Sequence, residues 1–332
     1  MTVEARNGVA VDGSLGVPVE ARPDQPPTGR RVDREFRSYY GQPILKVPVW
    51  RPSIPLYFFV CGLAGASGAL AFAARVLGHR RLARGATFAA LAGVAASPPL
   101  LIEDLGRPAR FYNMLRVFKV TSPMSVGTWV LTAFGAAIGV AGSCELFGVL
   151  PRIKLVAQAL GGLLGLPLAT YTGALIADTA VPTWHEARRE LPFVFAGGAA
   201  ASAGGLAAIV TPAAEAGPAR RLAVLGGVLE IAAVQAMERQ LGPLLAEPYR
   251  RGPVGRLTRF AELAAAGGTT LLALGGRRRA PAVVGGALLL VGALAERFAV
   301  FEAGLASARD PKYTVVPQRE RVEQRMEAAR RP

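Results

Sequence analysis

Glu230 is the costliest residue in this chain to place. It lies about nine residues into the apolar run Leu222–Met237, where an ionised carboxylate costs roughly 2.5–3.5 kcal/mol in hydrocarbon even on the lenient insertion scale. It must be protonated, paired or facing water, which marks it for proton transfer. Tyr171 and Asp178 are seven residues apart, close to two helical turns, so they share a helix face about 10 Å apart along the axis. His185 follows, whose imidazole carries both a donor and an acceptor nitrogen. A phenol, an imidazole and carboxylates in this order donate hydrogen bonds and move protons. Glu103 ends another apolar run just beyond Pro98-Pro99 and reads as a proton relay. Asp104 and Arg107 flank Gly106 ahead of Pro108; an Asp–Arg pair across that turn reads first as loop architecture, second as direct ligand or proton contact. Glu296 and Arg297 are adjacent, so on a helix their side chains diverge by about 100°. Each is expected to find another partner, Glu296 toward the helices and Arg297 toward an interface.

The elements that carry these groups follow from composition. Of 332 residues, 52% are hydrophobic and 18% charged, against about a quarter charged in soluble domains. A membrane helix needs roughly 20 mostly apolar residues. Eight runs qualify: Ser53–Leu77, Gly85–Ile102, Ser125–Phe147, Leu155–Ala177, Pro192–Val210, Leu222–Met237, Phe260–Gly275 and Ala280–Phe301. The second and seventh are short and the sixth carries a charge, so seven or nine are the neighbouring counts. The fold class is therefore all-α integral membrane protein with eight transmembrane helices. Gly and Ala dominate the runs, and small residues let helices in lipid pack closely. Residues 1–51 form a polar tail with no apolar signal-peptide core ahead of the first span. Residues 304–332 form a charged tail, helical from Gln318 to Arg330. Pro167, one turn before Tyr171, bends its helix and frees a carbonyl.

An even span count puts both tails on one side. Loops on the tail side and on the far side hold equal numbers of Lys and Arg, and the basic tails tilt the termini toward the cytoplasm. Acids separate the two ends more sharply. Glu103, Asp104, Asp178, Glu186, Glu190 and Glu247 fall on the tail side, and only Glu145 and Glu215 on the other. The protein reads as a multi-pass protein of the cell (cytoplasmic) membrane.

Two cysteines and two histidines limit the redox chemistry. Two thiols exclude a four-thiolate zinc site and an iron–sulfur cluster held by this chain alone. His79 and His185 fall in loops on opposite faces, separated by about 30 Å of bilayer, and cannot ligate one haem iron. Cys61 and Cys144 lie inside apolar runs as small hydrophobes. The net charge of +15 carries no nucleic-acid signal, because aromatic residues are not interleaved with the basic runs. No metal is expected.

Two tail-side stretches carry a signature. The first runs Glu103-Asp104-Leu105-Gly106-Arg107-Pro108, through Phe111-Tyr112-Asn113-Met114-Leu115, to Thr121-Ser122-Pro123-Met124-Ser125. The second is Tyr171-Thr172-Gly173, then Asp178-Thr179-Ala180-Val181-Pro182-Thr183-Trp184-His185-Glu186-Ala187-Arg188-Arg189-Glu190-Leu191-Pro192-Phe193. Together with Pro55-Leu56-Tyr57-Phe58-Phe59, they resemble the NrfD/polysulfide-reductase membrane-subunit family over about residues 50–300. The resemblance implies two four-helix bundles, here 52–191 and 192–303, without haem. It implies an iron–sulfur electron-transfer subunit and a molybdopterin catalytic subunit as partners. It also implies exchangeable menaquinone or ubiquinone, bound mainly by the first four helices with Tyr171 as a polar contact. His185, Asp104 and Arg107 are the further quinone-site candidates, and Glu230, Glu103 and Asp178 the proton-transfer candidates. At the start of the first span, where members offer Asn or His, this chain has Trp50-Arg51-Pro52-Ser53.

On this reading the chain does no chemistry on the primary substrate, and exchanges electrons between its iron–sulfur partner and the quinone pool. The alternative is a proton-coupled membrane transporter, which also uses buried acids and predicts matching broken helices in two halves. A passive anchor needs one helix, not eight with buried charge.

Overall fold

The structure is a computed structural model that describes residues 44–330. The polar tail expected over 1–51 therefore lies outside the described residues as far as residue 43. The described chain is helical: α1 (Ser53–Val76), α2 (Arg80–Asp104), a 3-10 turn (Pro108–Arg110), α3 (Phe111–Arg116), α4 (Pro123–Phe147), α5 (Pro151–Ala177), α6 (Pro182–Glu186), α7 (Leu191–Val210), α8 (Gly217–Leu245), α9 (Glu247–Arg250), α10 (Gly252–Gly275), α11 (Arg279–Arg309) and α12 (Lys312–Arg330). Six of these are long and apolar enough to cross a membrane: α1, α2, α4, α5, α7 and α11.

The outline corrects the sequence reading in several places. The second run gains about one and a half turns at its start because Arg80, Arg81 and Arg84 are helical, their long stems tolerating the boundary. The last long helix continues to Arg309, so the tail begins later than residue 304. Its final helix starts at Lys312, not Gln318. The sixth and seventh runs belong to helices of 29 and 24 residues, neither of which is apolar enough to count as a span. Near its end, α8 breaks at Gly242, whose φ of 67° precedes Pro243. A left-handed φ suits glycine, and proline cannot continue the preceding ladder.

The eight long helices close two rings. In one, α1 packs on α2, α2 on α4, α4 on α5 and α5 back on α1. In the other, α7 packs on α8, α8 on α10, α10 on α11 and α11 back on α7. Between the rings α1 meets α7, α5 meets α7, and α1 meets α11. Exchanging α1 with α7 and α5 with α11 preserves these contacts, an approximate internal pseudo-two-fold from which the contact of α2 with α7, lacking an α8–α1 counterpart, departs.

The same device closes both rings. A Cβ on Gly65 of α1 would lie 2.5 Å from the Gly165 carbonyl oxygen of α5. A Cβ on Gly286 of α11 would lie 2.5 Å from the Gly205 carbonyl oxygen of α7. Backbones touch at both crossings, which is how helices associate where lipid offers no hydrophobic drive. The far end of the first ring is tied by charge. Glu145 takes Arg75 at 2.5 Å and Lys154 at 2.9 Å, while Gln158 accepts from Arg75 and donates to Thr87. Glu145, one of the two acids on the side away from the tails, is thus held by groups from α1 and α5.

Gly165→Ala should destabilise the protein by about 1–3 kcal/mol through overpacking, whereas Gly139→Ala, with open space at its Cβ position, should be neutral or mildly stabilising. Thermal unfolding in detergent reads the difference; equal midpoints would remove the crossing from the account.

Candidate functional site

The first signature folds over an apolar slot. After α2 ends, the chain turns at Gly106, and α3 lays Phe111, Met114 and Leu115 against Pro98, Leu101 and Ile102 of α2 and Thr128, Leu131 and Thr132 of α4. The spacing i, i+3, i+4 puts the three α3 side chains on one helical face. They roof a cavity of about 350 Å³, the size of a small-molecule site. Beside it Tyr112, Val117, Phe118 and Val120 are exposed, interleaved with the exposed Asn113, Arg116 and Lys119. Phe118 meets Trp129 edge-on, and the Trp129 indole donates to the Val117 carbonyl.

Tyr171 lies beside this slot, not in its lining. Its ring fills the space a side chain at Gly127 would need, one residue from Thr128. Its hydroxyl makes no hydrogen bond with a described residue. The buried hydroxyls of Tyr57 on α1 and Thr172 on α5 also lack partners. α5 stays helical through Pro167, and Thr170 donates to the Leu166 and Pro167 carbonyls.

The second signature builds a different cavity. Trp184 is fully buried, stacked on Trp50 at 5.7 Å and donating to the Val300 carbonyl at 2.8 Å. With Thr183 held at Ser307, this anchor turns the next residue, His185, outward. His185 and Asp178, the latter outside α5 as its C-cap, line a polar cavity of about 510 Å³ with Glu186, Tyr313, Gln318 and Arg321. Tyr171 and Asp178 therefore serve separate spaces despite their helical spacing.

The group at the end of α2 is not a pair. Asp104 accepts from the Arg51 backbone N–H at 2.8 Å and so fixes the entry to α1. No ion pair joins it to Arg107 among the described residues, and the expected Asp–Arg clasp is corrected: Arg107 is exposed, as is Glu103.

Glu230 sits in a third place. Both its oxygens are buried and unpartnered, and it is 3% exposed. It lines a cavity of about 260 Å³ between α8, α10 and α11, with Glu262, Glu296 and the buried Tyr249 hydroxyl. Here the expected divergence of Glu296 and Arg297 fails. Their side chains pair with one another, because Arg297 lies buried over the Phe195 ring (3.9 Å to its centroid) and donates to the Phe195 carbonyl at 2.9 Å. A cation in a desolvated site gains from the aromatic face. Gly198 leaves the room: a Cβ there would lie 2.6 Å from Glu230 Oε1 and 2.9 Å from Arg297 Nη2. Tyr249 and Phe195 carried no sequence signal, since each lies far in sequence from Glu230.

The polar cavity is closed by α12, clamped at two points. Glu247 meets Arg251 at 2.5 Å, Lys312 at 2.9 Å and the Tyr313 hydroxyl at 3.3 Å; Arg321 meets Glu186 at 2.8 Å. The Lys312 hydrogen bond, with Arg251 adding to it, holds the Glu247 carboxyl below the ordinary carboxylate range. Among the described residues no group of three or more His, Cys, Asp or Glu is placed to hold a metal ion.

A depressed folded pKa contributes stability that is present above the unfolded value and lost as pH falls through the folded one. Hydrogen exchange at 312–330 should therefore rise as the medium is acidified below the ordinary carboxylate range, and with added salt. Exchange unchanged by both would detach the clamp from Glu247.

Against known proteins, the family model described as polysulphide reductase, NrfD, matches residues 43–237. That match takes in more than half of the chain, through Glu230, and stops short of Tyr249, Glu296 and Arg297. No curated protein matches the chain.

Proposed function

This chain belongs to the polysulphide reductase NrfD family, whose members are membrane subunits of redox complexes, and from that premise we propose that it is the quinone-reactive subunit of such a complex. Its partners on this reading are an iron–sulfur subunit and a molybdopterin catalytic subunit. Electrons pass between the iron–sulfur partner and menaquinone or ubiquinone, with no haem in this chain. The site lies in the cell membrane, under the tail-side end of the first ring.

The observation that carries the reading is the slot beneath α3. Its apolar lining and volume fit a lipid-soluble ring, and exposed Tyr112, Val117, Phe118 and Val120 beside it, set among Asn113, Arg116 and Lys119, suit the membrane surface. The buried hydroxyls of Tyr57 and Thr172 sit unpartnered in the same ring of helices, where an isolated polar group costs free energy unless something bonds to it, and the Tyr171 hydroxyl of that ring is free to donate. The bound carrier supplies two-electron, two-proton redox chemistry at its carbonyls. The protein's own part is to exclude water with Phe111, Met114 and Leu115, and to orient the ring through the Tyr171 hydroxyl. Asp178 and His185 hold and exchange protons from the polar cavity beside it, and Glu103 does so from the exposed end of α2. Asp104 keeps the α1 entry in place, and Arg107 stands on the exposed face offered to the partner.

We read α8 and α10 as spanning too, which completes eight. Leu225, Val228 and Leu229 of α8 and Phe260, Leu263 and Leu274 of α10 are exposed, a pattern suited to lipid and costly in water. Glu230 faces inward and the arginines lie toward the helix ends, while Glu262, midway along α10, is exposed at the Glu230 cavity. In the second ring the Glu230 chamber moves or stores protons, since an intramembrane acid with unpartnered oxygens is a functional site by default.

The pseudo-two-fold favours a second reading, proton-coupled transport, which predicts repeats. Its other requirement, matched broken helices at the midplane, is not met: α5 stays helical through Pro167, and α11, its counterpart, has no interior proline in its middle turns.

Thr132→Phe, which fills the slot, should abolish quinone-linked turnover of the complex and leave dye-linked activity of the catalytic partner intact. Tyr171→Phe should lower the quinone-linked rate about three- to tenfold, the worth of one hydrogen bond. Unchanged quinone kinetics in both variants would place the carrier elsewhere.

A further inference from the structure

At the end of the second ring away from the tails, α8 and α10 part to form a groove. They touch at Gly227, whose Cβ position is taken by the Thr269 hydroxyl, and the groove runs from there toward Gly217 and Arg277. The groove holds about 560 Å³ and is lined by Arg220, Arg221 and Arg277 at its mouth, with Val224, Leu225, Leu272 and Ala273 below. Three guanidinium groups thus stand at the lip of an apolar wall. No carboxylate answers them: none of the three makes an ion pair among the described residues, and Glu215, the nearest acid in sequence, pairs with Arg81 at 3.2 Å.

The arrangement is also built. The Arg220 stem crosses to the α10–α11 connection, where a Cβ on Gly276 would lie 2.6 Å from its Cδ. Nη1 of Arg220 donates to the Ala213 carbonyl at 2.7 Å, which fixes the fork and leaves Nη2 and Nε able to donate. Arg221 and Arg277 are exposed on either side. The N-terminus of α8 opens on the same groove at Gly217, and its cap residue Ala216 offers no side-chain oxygen to the free N–H groups. Three arginines and a helix N-terminus thus line one groove with positive charge.

We infer that this groove is a binding site for an anionic phospholipid, with the phosphate held by Arg220, Arg221 and Arg277 and an acyl chain laid along Val224, Leu225 and Ala273. The apolar wall selects a lipid over a free anion. Leu225 and Leu274 beside it are 69% and 87% exposed, and an acyl chain gives them the apolar neighbour they lack. Basic pockets between spanning helices recognise anionic headgroups in this way. The lipid would bridge α8 and α10 along the open side of the groove. The inference rests on our reading that α8 and α10 lie in the bilayer.

The test uses the purified full chain, with any partners that copurify, in nanodiscs of equimolar phosphatidylglycerol and phosphatidylcholine. Native mass spectrometry then counts the lipid retained on ejection. Wild type should retain phosphatidylglycerol in preference to phosphatidylcholine. Arg221→Gln/Arg277→Gln should bind it about thirtyfold more weakly, two surface charges being lost, and Arg221→Lys/Arg277→Lys should keep most of the binding. Equal retention of the two lipids by wild type overturns the site, a result that needs no variant to fold. So does inorganic phosphate binding to delipidated protein with the same arginine dependence but without lipid selectivity. Leu225→Cys tested with a membrane-impermeant maleimide separates the two readings. Rapid labelling in nanodiscs would sink the bilayer placement of α8. Protection from labelling together with no lipid preference would sink the lipid site alone.

Discussion

Backbone contact at two glycine pairs sets the frame on which the rest depends. With Gly65 on Gly165 and Gly205 on Gly286, α1 and α5 cross as closely as α7 and α11 do, and each ring of four closes around its crossing. In lipid, apolar side chains gain little by leaving their solvent for each other, so close packing and internal polar bonds must do the holding. The crossings meet the first requirement. The Glu145 cluster and the buried Arg297–Glu296 pair meet much of the second.

The two rings share a plan but differ in content. In the first, the α2–α4 crevice beneath α3 is apolar and its neighbouring hydroxyls lack partners. In the second, the α8–α10 crevice beside α9 is floored by Glu230 and Glu296. One architecture thus supplies an apolar slot and, in the pseudo-symmetric position, a chamber of ionisable groups. The polar cavity under α12 lies on the same end of the molecule as the slot, where the longer, acid-rich loops gather. That juxtaposition suits a protein that brings a lipid-soluble carrier and protons to one face.

Much of this was legible from residue order alone. Apolar runs located every long helix, because the need for about 20 apolar residues is a length requirement. The two signatures marked both tail-side cavities: Phe111, Met114 and Leu115 are within the first, and Asp178 and His185 within the second. Contacts between distant elements were not legible. Asp104 looked toward Arg107, three residues on, and instead binds the Arg51 N–H across the fold. Arg297 and Glu296 looked divergent on an isolated helix, yet Phe195, a hundred residues earlier in the chain, draws the guanidinium into a position where the two meet. Tyr171 and Asp178 share a helical spacing, but the helix ends between them and sends the carboxylate into another cavity.

The most direct test of the central claim is photolabelling of the intact complex with an azidoquinone, followed by peptide mapping of this chain. The account predicts covalent label within 94–135, on the residues of α2, α3 and α4 that enclose the slot, and loss of that label when unmodified quinone is added in excess. Label confined to α8, α10 or α11, or label in the slot that quinone fails to displace, would contradict it.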